Sequence, residues 1–310
     1  SSSILLTLLQ LCKVLLTSFV NFFYVQRDFR INVLLVPQCE YDRTLIIFLL
    51  LTAVTPRFRR NKMKDYIAPA QLLKNKVVLI TGAGDGIGAE AARTFARHGA
   101  TCILLGRTVS KLESVYDEIV NAGGEEPAIV PLDIKGATPS HYQQMAQTII
   151  DQFGRLDGVL HNASVLGHLS AFKDIDAEEW QNVMQTNVNG MVFMTQALIP
   201  ALEKADSASV VFTTSSVGRK GRAFWGTYAV SKFATEGVMQ TLADEYQNKS
   251  IRFNCINPGG TRTNMRAQAF PAENPDTLKT PADIMPTYLY LMGEDSVDVN
   301  GQSLDCQPKK

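Results

Sequence analysis

From Lys76 onward the chain alternates short β-branched runs with longer segments of helical apolar period, a pattern that restricts it to βαβ units around a parallel sheet. The predicted strands are residues 77–80, 102–105, 128–132, 158–160, 210–213 and 251–256, with a short seventh near Ser303. Helical periodicity fills the intervals at 86–98, 111–121, 141–153, 177–203 and 228–247. Right-handed crossovers then place helices on both faces of a doubly wound sheet, so the expected fold class is α/β. No repeat, low-complexity tract or long linker interrupts the pattern, and a single domain over 74–310 with a lead-in at 63–73 is expected.

Residues 1–62 differ in kind. They hold no Gly, although the chain has 21, and average usage near 7% would place about four there. Apolar stretches run from Ile4 to Val25 and from Leu45 to Val54, ahead of the basic Arg57, Arg59, Arg60, Lys62 and Lys64. The first is long enough to span a bilayer but contains Gln10, Lys13 and Asn21; the second falls short of the roughly 20 residues required. Two readings stay open: a segment foreign to the natural protein, with translation starting at Met63, or a membrane anchor that would change location and not chemistry.

Lys plus Arg and Asp plus Glu balance at 30 each, which argues against a nucleic-acid partner. The five cysteines form no CxxC pair and no Cys/His cluster at ligand spacing, so neither a disulfide framework nor a metal is expected. Reduced thiols in a cytoplasmic protein are the simpler expectation.

Thr81-Gly-Ala-Gly-Asp-Gly-Ile-Gly88 follows the first predicted strand and opens a helix. In that context glycines let backbone approach a pyrophosphate, and the helix N-terminus favours the anion. The site residues expected from this loop are Gly82, Gly84, Asp85, Gly86, Ile87 and Gly88. A Rossmann-like unit selective for NAD carries an acidic residue at the end of its second strand. Here that strand ends Leu105-Gly106-Arg107, and a cation can pair with a 2′-phosphate, so NADP(H) is expected over NAD(H).

Tyr228-Ala-Val-Ser-Lys232 is a YxxxK pair whose members share one helix face. An adjacent positive charge is expected to lower the phenol from its usual value near 10 toward a general acid or base useful at neutral pH. Ser215 lies thirteen residues upstream, at the end of the fifth predicted strand.

The spacing TGxxxGxG at Gly82, Gly86 and Gly88, with Ser215, Tyr228 and Lys232, resembles the short-chain dehydrogenase/reductase family, across about residues 74–305. Within it, 156–162, 218–222 and 257–266 resemble a bacterial branch known as YciK-type oxidoreductases. The resemblance implies a catalytic set of Asn187, Ser215, Tyr228 and Lys232, with the serine on the substrate carbonyl and the asparagine holding a water that links lysine to solvent. It also implies cofactor contacts from Asp133 and Ile134 at the adenine, Asn162 and Ala163 after the fourth strand, and Pro258, Gly259, Thr261 and Thr263 at the nicotinamide and phosphates. The family's NNAG motif reads His161-Asn-Ala-Ser164 here, losing its first asparagine and its glycine.

The reaction implied is hydride transfer between NADP(H) and a carbonyl or alcohol, without metal. Loops 216–227 and 259–272 carry Arg219, Lys220, Arg222, Arg262 and Arg266 and no acidic residue. They suggest an anionic substrate, unless those cations are paired elsewhere. A catalytically silent NADP(H)-binding sensor or scaffold is the competing class. The family resemblance also implies a homodimer or homotetramer, with Val183, Met191, Met194, Val238 and Met239 open to a subunit interface or to the chain's own core.

Overall fold

The computed structural model describes residues 66–308, all within the second of the chain's two units, Met63–Lys310. Both readings of residues 1–62 therefore fall outside the described residues. The strands are β1 (Val77–Thr81), β2 (Thr101–Gly106), β3 (Ala128–Pro131), β4 (Gly158–His161), β5 (Ala208–Thr213), β6 (Ile251–Asn257) and β7 (Ser303–Asp305). They form one sheet of seven, in the order β3-β2-β1-β4-β5-β6-β7, with every pairing parallel. The helices are α1 (Gly86–Arg97), α2 (Val109–Asn121), α3 (Pro139–Phe153), α4 (Ala177–Met184), α5 (Gly190–Leu202), α6 (Gly226–Glu245), α7 (Asn264–Ala269) and α8 (Pro281–Met292).

The two-residue period of each strand splits its apolar side chains between two cores. Val78, Ile80, Cys102 and Leu104 join α1, α2 and α8, whereas Val77, Leu79, Ile103 and Leu105 join α3, α5 and α6. Burial on both faces is why β1 and β2 read as unbroken apolar runs. Each fully buried Leu or Ile contributes about 1.5–3 kcal/mol.

The chain steps outward from β1 to β2 and β3, then crosses back to β4 on the other side of β1. At that switch point the loops leaving β1 and β4 diverge and open a crevice at the carboxyl ends of the strands. The glycine loop, Asn162 and Ser215 all follow strands at this edge.

Three elements differ from the sequence reading, the first being the short helix α7 within the expected loop 259–272. The predicted helix over 177–203 is divided by a π-helical turn, Gln185–Asn189, where the Gly190 amide donates to the Gln185 carbonyl five residues back. Helix α8 was not among the expected helices, and it carries Pro281 and Pro286, a residue type that usually breaks a helix. Pro281 instead sits in the first turn, where its missing N–H costs nothing, behind a capping box between Thr280 and Asp283. Pro286 gives up one helical bond, offset by burial of Ile284, Met285, Tyr288 and Leu289. The lead-in is anchored there too: the Tyr66 ring meets Tyr290 edge-on and its hydroxyl donates to Asp295 at 2.7 Å.

Val183, Met191, Met194 and Met239 are buried within the chain's own core. Among the described residues no helix is long and apolar enough to cross a membrane.

Candidate active site

The crevice is a cavity of about 940 Å3. The expected cofactor and catalytic residues line it, apart from Gly88, Asn187 and Lys232, which stand behind its wall.

Gly82 and Gly86 have φ of 68° and 53°, so the loop after β1 turns where L side chains are strained. A Cβ on Gly82 would come within 3.1 Å of Ala163 Cα. Gly88 serves packing: a Cβ there would strike the Gly82 carbonyl and come 2.8 Å from Asn162 Nδ2. Thr81 closes the seam between β1 and β4, its Oγ1 accepting from the amides of Asn162 (2.9 Å) and Ala163 (3.0 Å).

Asp85 occupies the N-cap of α1 but makes no side-chain cap, and the first turn holds no acidic residue. Its carboxylate accepts instead from Lys111 (2.7 Å) and Asn264 (3.1 Å), and the Lys111 bond holds its pKa below the usual carboxylate range. The first-turn amides of α1 are thus left without a side-chain acceptor, beside glycines that keep the approach clear. Those residues fit the pyrophosphate of a dinucleotide.

Arg107 stands exposed in the wall at the end of β2 and has no hydrogen bond or ion pair among the described residues. Asp133 Oδ1 accepts from the Lys135 amide at 3.1 Å, and Ile134 beside it packs into the core. On the far side Gly259 has φ of 73°, Thr261 Oγ1 donates to the Pro258 carbonyl at 3.2 Å, and Thr263 caps α7.

Tyr228 and Lys232 sit one turn apart on α6, 8% and 3% exposed. The phenol shares the cleft wall with Ser164 and with Ser215, the residue that follows β5 by two and starts the 3-10 turn Ser216–Gly218. Lys232 Nζ donates to the Thr213 carbonyl at 2.8 Å and lies 5.5 Å from the Tyr228 ring centroid. Burial pushes Tyr228 up to about 12, against the pull of Ser164 and Ser215. Burial lowers Lys232 to about 8, so it stays cationic at neutral pH. The expectation of a phenol lowered by its lysine is corrected here. The ammonium is turned to a carbonyl, and desolvation dominates.

Asn187 lies in the π-helical turn, 3% exposed, with its amide fully engaged. It accepts from the Val165 amide (2.8 Å) and donates to the Val165 carbonyl (2.9 Å) and Ser231 Oγ (3.0 Å). Its side chain therefore braces the loop after β4.

That loop and α4 form a wall that sequence reasoning missed, contributing Ser164, Leu166, His168, Glu179 and Asn182 to the cleft. His168 Nδ1 pairs with Glu179, which also accepts from the His168 amide at 2.7 Å. His161 has turned away from the cleft, stacked on Phe212 with centroids 5.1 Å apart, and burial lowers it to about 3. Around Tyr228 the wall is apolar: Leu166, Trp225, Met265 and Ala269 pack together, and Trp225 contacts Phe270 at 5.8 Å.

Three of the five loop cations are already paired. Arg219 bridges Glu236 and Asp305, Arg262 meets Asp276 at 3.2 Å, and Arg266 forms two 2.6 Å bonds to Glu273. Arg219, Lys220, Arg222 and Arg262 do not line the cleft.

Residues 76–274 match the family model for short chain dehydrogenases. The oxidoreductase YciK of Escherichia coli strain K12 is 56% identical over 243 residues, 78% of this chain and 96% of that relative. The cyclohexanol dehydrogenase of Acinetobacter sp. strain SE19 is 29% identical over 232 residues, 73% and 91% of the two chains. Among solved structures, a short chain dehydrogenase of Escherichia coli CFT073 complexed with NADPH is 57% identical at a TM-score of 0.76, covering 77% of this chain and 100% of that one. One from Shigella flexneri 2a strain 301 complexed with NADP is 56% identical at 0.76, with the same coverage. A glycine-lined crevice at the switch point, followed by a serine, a tyrosine and a lysine in that order, thus sits in a chain that belongs to the short-chain dehydrogenase/reductase family of oxidoreductases.

Proposed function

We propose that the protein is an NADP(H)-dependent reductase of neutral, largely apolar carbonyl compounds, or a dehydrogenase of the corresponding alcohols, with Tyr228 as general acid and base. The observation that carries this reading is the buried Tyr228 phenol in the wall of the same cleft as Ser215, with Lys232 one turn behind it on α6.

The phosphorylated cofactor is supported by the unpaired Arg107 and by the NADPH and NADP bound to close relatives. NADP(H), when bound, supplies or takes the hydride. Gly82, Gly84, Asp85, Gly86, Ile87 and Gly88 shape the pyrophosphate cradle, with Asp85 neutralised by Lys111. Asp133 and Ile134 flank the adenine; Asn162, Ala163, Pro258, Gly259, Thr261 and Thr263 border the nicotinamide half.

Ser215 aligns the substrate oxygen and Tyr228 protonates it as negative charge develops there. A phenol kept neutral by burial is in the right state to give a proton, which favours carbonyl reduction at neutral pH. Lys232, cationic and buried, holds the positive charge behind the tyrosine. Asn187 braces the wall opposite.

An apolar surround and loop arginines already satisfied by Glu236, Glu273, Asp276 and Asp305 favour a neutral substrate over the anionic one that loop composition suggested. The exposed Phe193, Val230 and Phe233 on α5 and α6 support a homo-oligomer.

Coenzyme selectivity tests the cofactor half. NADPH is expected to be oxidised far faster than NADH with a panel of aldehydes and cyclic ketones. Arg107→Glu is expected to erase that preference by costing roughly 1.5–3 kcal/mol of charge-assisted binding. Equal use of both coenzymes by the unaltered protein would contradict the assignment. Tight NADPH binding without turnover on any substrate would mark a silent binder instead.

A further inference from the structure

The loop that leaves β6 reads Pro258-Gly-Gly-Thr261, and the sheet no longer holds its backbone, because the pairing of β6 with β7 ends at Asn257 and Asp305. Gly259 stands at φ of 73°, and proline has no N–H to offer a neighbouring strand. Such a segment samples many conformations unless contacts from outside it select one. Pro258, Gly259 and Thr261 nevertheless form part of the cleft wall.

The residues at and just past the end of β7 supply those contacts. The Cys306 amide donates to the Asn257 carbonyl at 2.9 Å, and Asp305 Oδ1 accepts from Asn257 Nδ2 at 2.7 Å while pairing with Arg219. These bonds bring Gln307 to the loop on the side away from the cleft, whose wall it does not join. Gln307 Nε2 donates to the carbonyls of Pro258 and Gly260, both at 2.9 Å, and reaches Thr261 Oγ1 at 3.4 Å. Backbone carbonyls only accept, so these partners settle which way the amide is turned. A Cβ on Gly259 would come within 3.2 Å of the same nitrogen.

We propose that Gln307 is a positioning residue for the cofactor: by bridging the Pro258 and Gly260 carbonyls, it holds the loop in the shape that receives the nicotinamide half of NADP(H). The cost of ordering the loop is then met when the protein folds and not when the cofactor binds, which raises affinity without a new contact. Gln307 acts through the loop alone. This inference rests on the reading of Pro258, Gly259 and Thr261 as the border of the nicotinamide half.

The test measures two affinities by titration in the full chain, unaltered and as Gln307→Ala, Gln307→Glu and Gly259→Val. NADPH probes the whole cleft. Adenosine 2′,5′-bisphosphate carries the adenine and the 2′-phosphate but no nicotinamide, so it probes only the part beside Arg107 and Asp133. Gln307→Ala is expected to weaken NADPH binding by roughly ten-fold, the scale of one or two neutral hydrogen bonds, and to leave bisphosphate binding within about two-fold. Gln307→Glu keeps the shape, but its carboxylate has no N–H and faces two carbonyls, so it is expected to weaken NADPH at least as much. Retained bisphosphate binding also shows that each variant is folded.

Unchanged NADPH affinity in Gln307→Ala and Gln307→Glu would overturn the proposal. So would equal losses for NADPH and the bisphosphate, the mark of a general structural role. Gly259→Val disturbs the loop directly. If it binds NADPH as well as the unaltered protein does, the reading of the loop as a cofactor border fails. If it binds NADPH poorly while Gln307→Ala and Gln307→Glu bind it normally, only the role of Gln307 fails.

Discussion

The Lys232 ammonium lies 5.5 Å from the centroid of the Tyr228 ring and donates to the Thr213 carbonyl, so the two side chains share one buried helix face without a direct hydrogen bond. Burial acts on both in the same sense, disfavouring the charged form of each: the phenol rises to about 12 and the ammonium falls to about 8.

Holding Lys232 inside the protein costs stability. A fall from 10.5 to about 8 corresponds to roughly 3 kcal/mol at pH 7. The sign follows from proton counting: between pH 8 and 10.5 the unfolded chain still carries a proton that the native protein has released, so this group makes stability rise with pH there. Lys232→Met, which keeps length and removes charge, is expected to be more stable than the unaltered protein at pH 7 by about 1–2 kcal/mol, after loss of the Thr213 hydrogen bond. That advantage should fade as pH approaches 10. Urea unfolding at the two pH values reads it directly.

Gly88 is expected to tolerate no side chain. A Cβ there meets the Gly82 carbonyl and comes 2.8 Å from Asn162 Nδ2, whereas one on Gly136 meets nothing within 4 Å. Gly88→Ala should cost about 3 kcal/mol or more and weaken NADPH binding, while Gly136→Ala stays within about 0.5 kcal/mol. Thermal melts with and without NADPH distinguish them.

Substrate selection should follow the apolar wall and not the loop cations. Arg222 lies outside the cleft, so Arg222→Ala is expected to leave the substrate KM unchanged. Trp225 packs between Tyr228 and Phe270 at 5.9 and 5.8 Å, and Trp225→Ala should raise KM for cyclic ketones by ten-fold or more, from the roughly 1.5–3 kcal/mol of lost apolar contact. Keto acids outperforming neutral ketones would favour the anionic reading instead.

The seven-strand parallel sheet was legible in the sequence because β1 and β2 are buried on both faces and so read as unbroken apolar runs, whereas the strand order came from the structure. Other features depended on contacts distant in sequence or on a single inserted residue. The π-helical turn at Asn187 is one such insertion, invisible to a 3.6-residue period spread over 177–203. Helix α8 carries Pro281 and Pro286, a residue type that usually breaks a helix, although the first is an N-terminal helix former by position. The partners of Arg219 are Glu236 and Asp305, and no composition of its own loop reveals them. Ser164 read as a lost glycine; only the fold places it in the cleft wall with Tyr228. The burial that holds the phenol near 12 depends in turn on the packing of Leu166, Val217 and Ala229 around it.

The central claim is that Tyr228 gives the proton while NADPH supplies the hydride, and it is tested by single-turnover NADPH oxidation with a neutral ketone in the unaltered protein and in Tyr228→Phe. The account predicts at least a hundred-fold loss of rate in the mutant with NADPH affinity retained, the scale of general acid catalysis. A Tyr228→Phe protein that oxidises NADPH as fast as the unaltered one would contradict it.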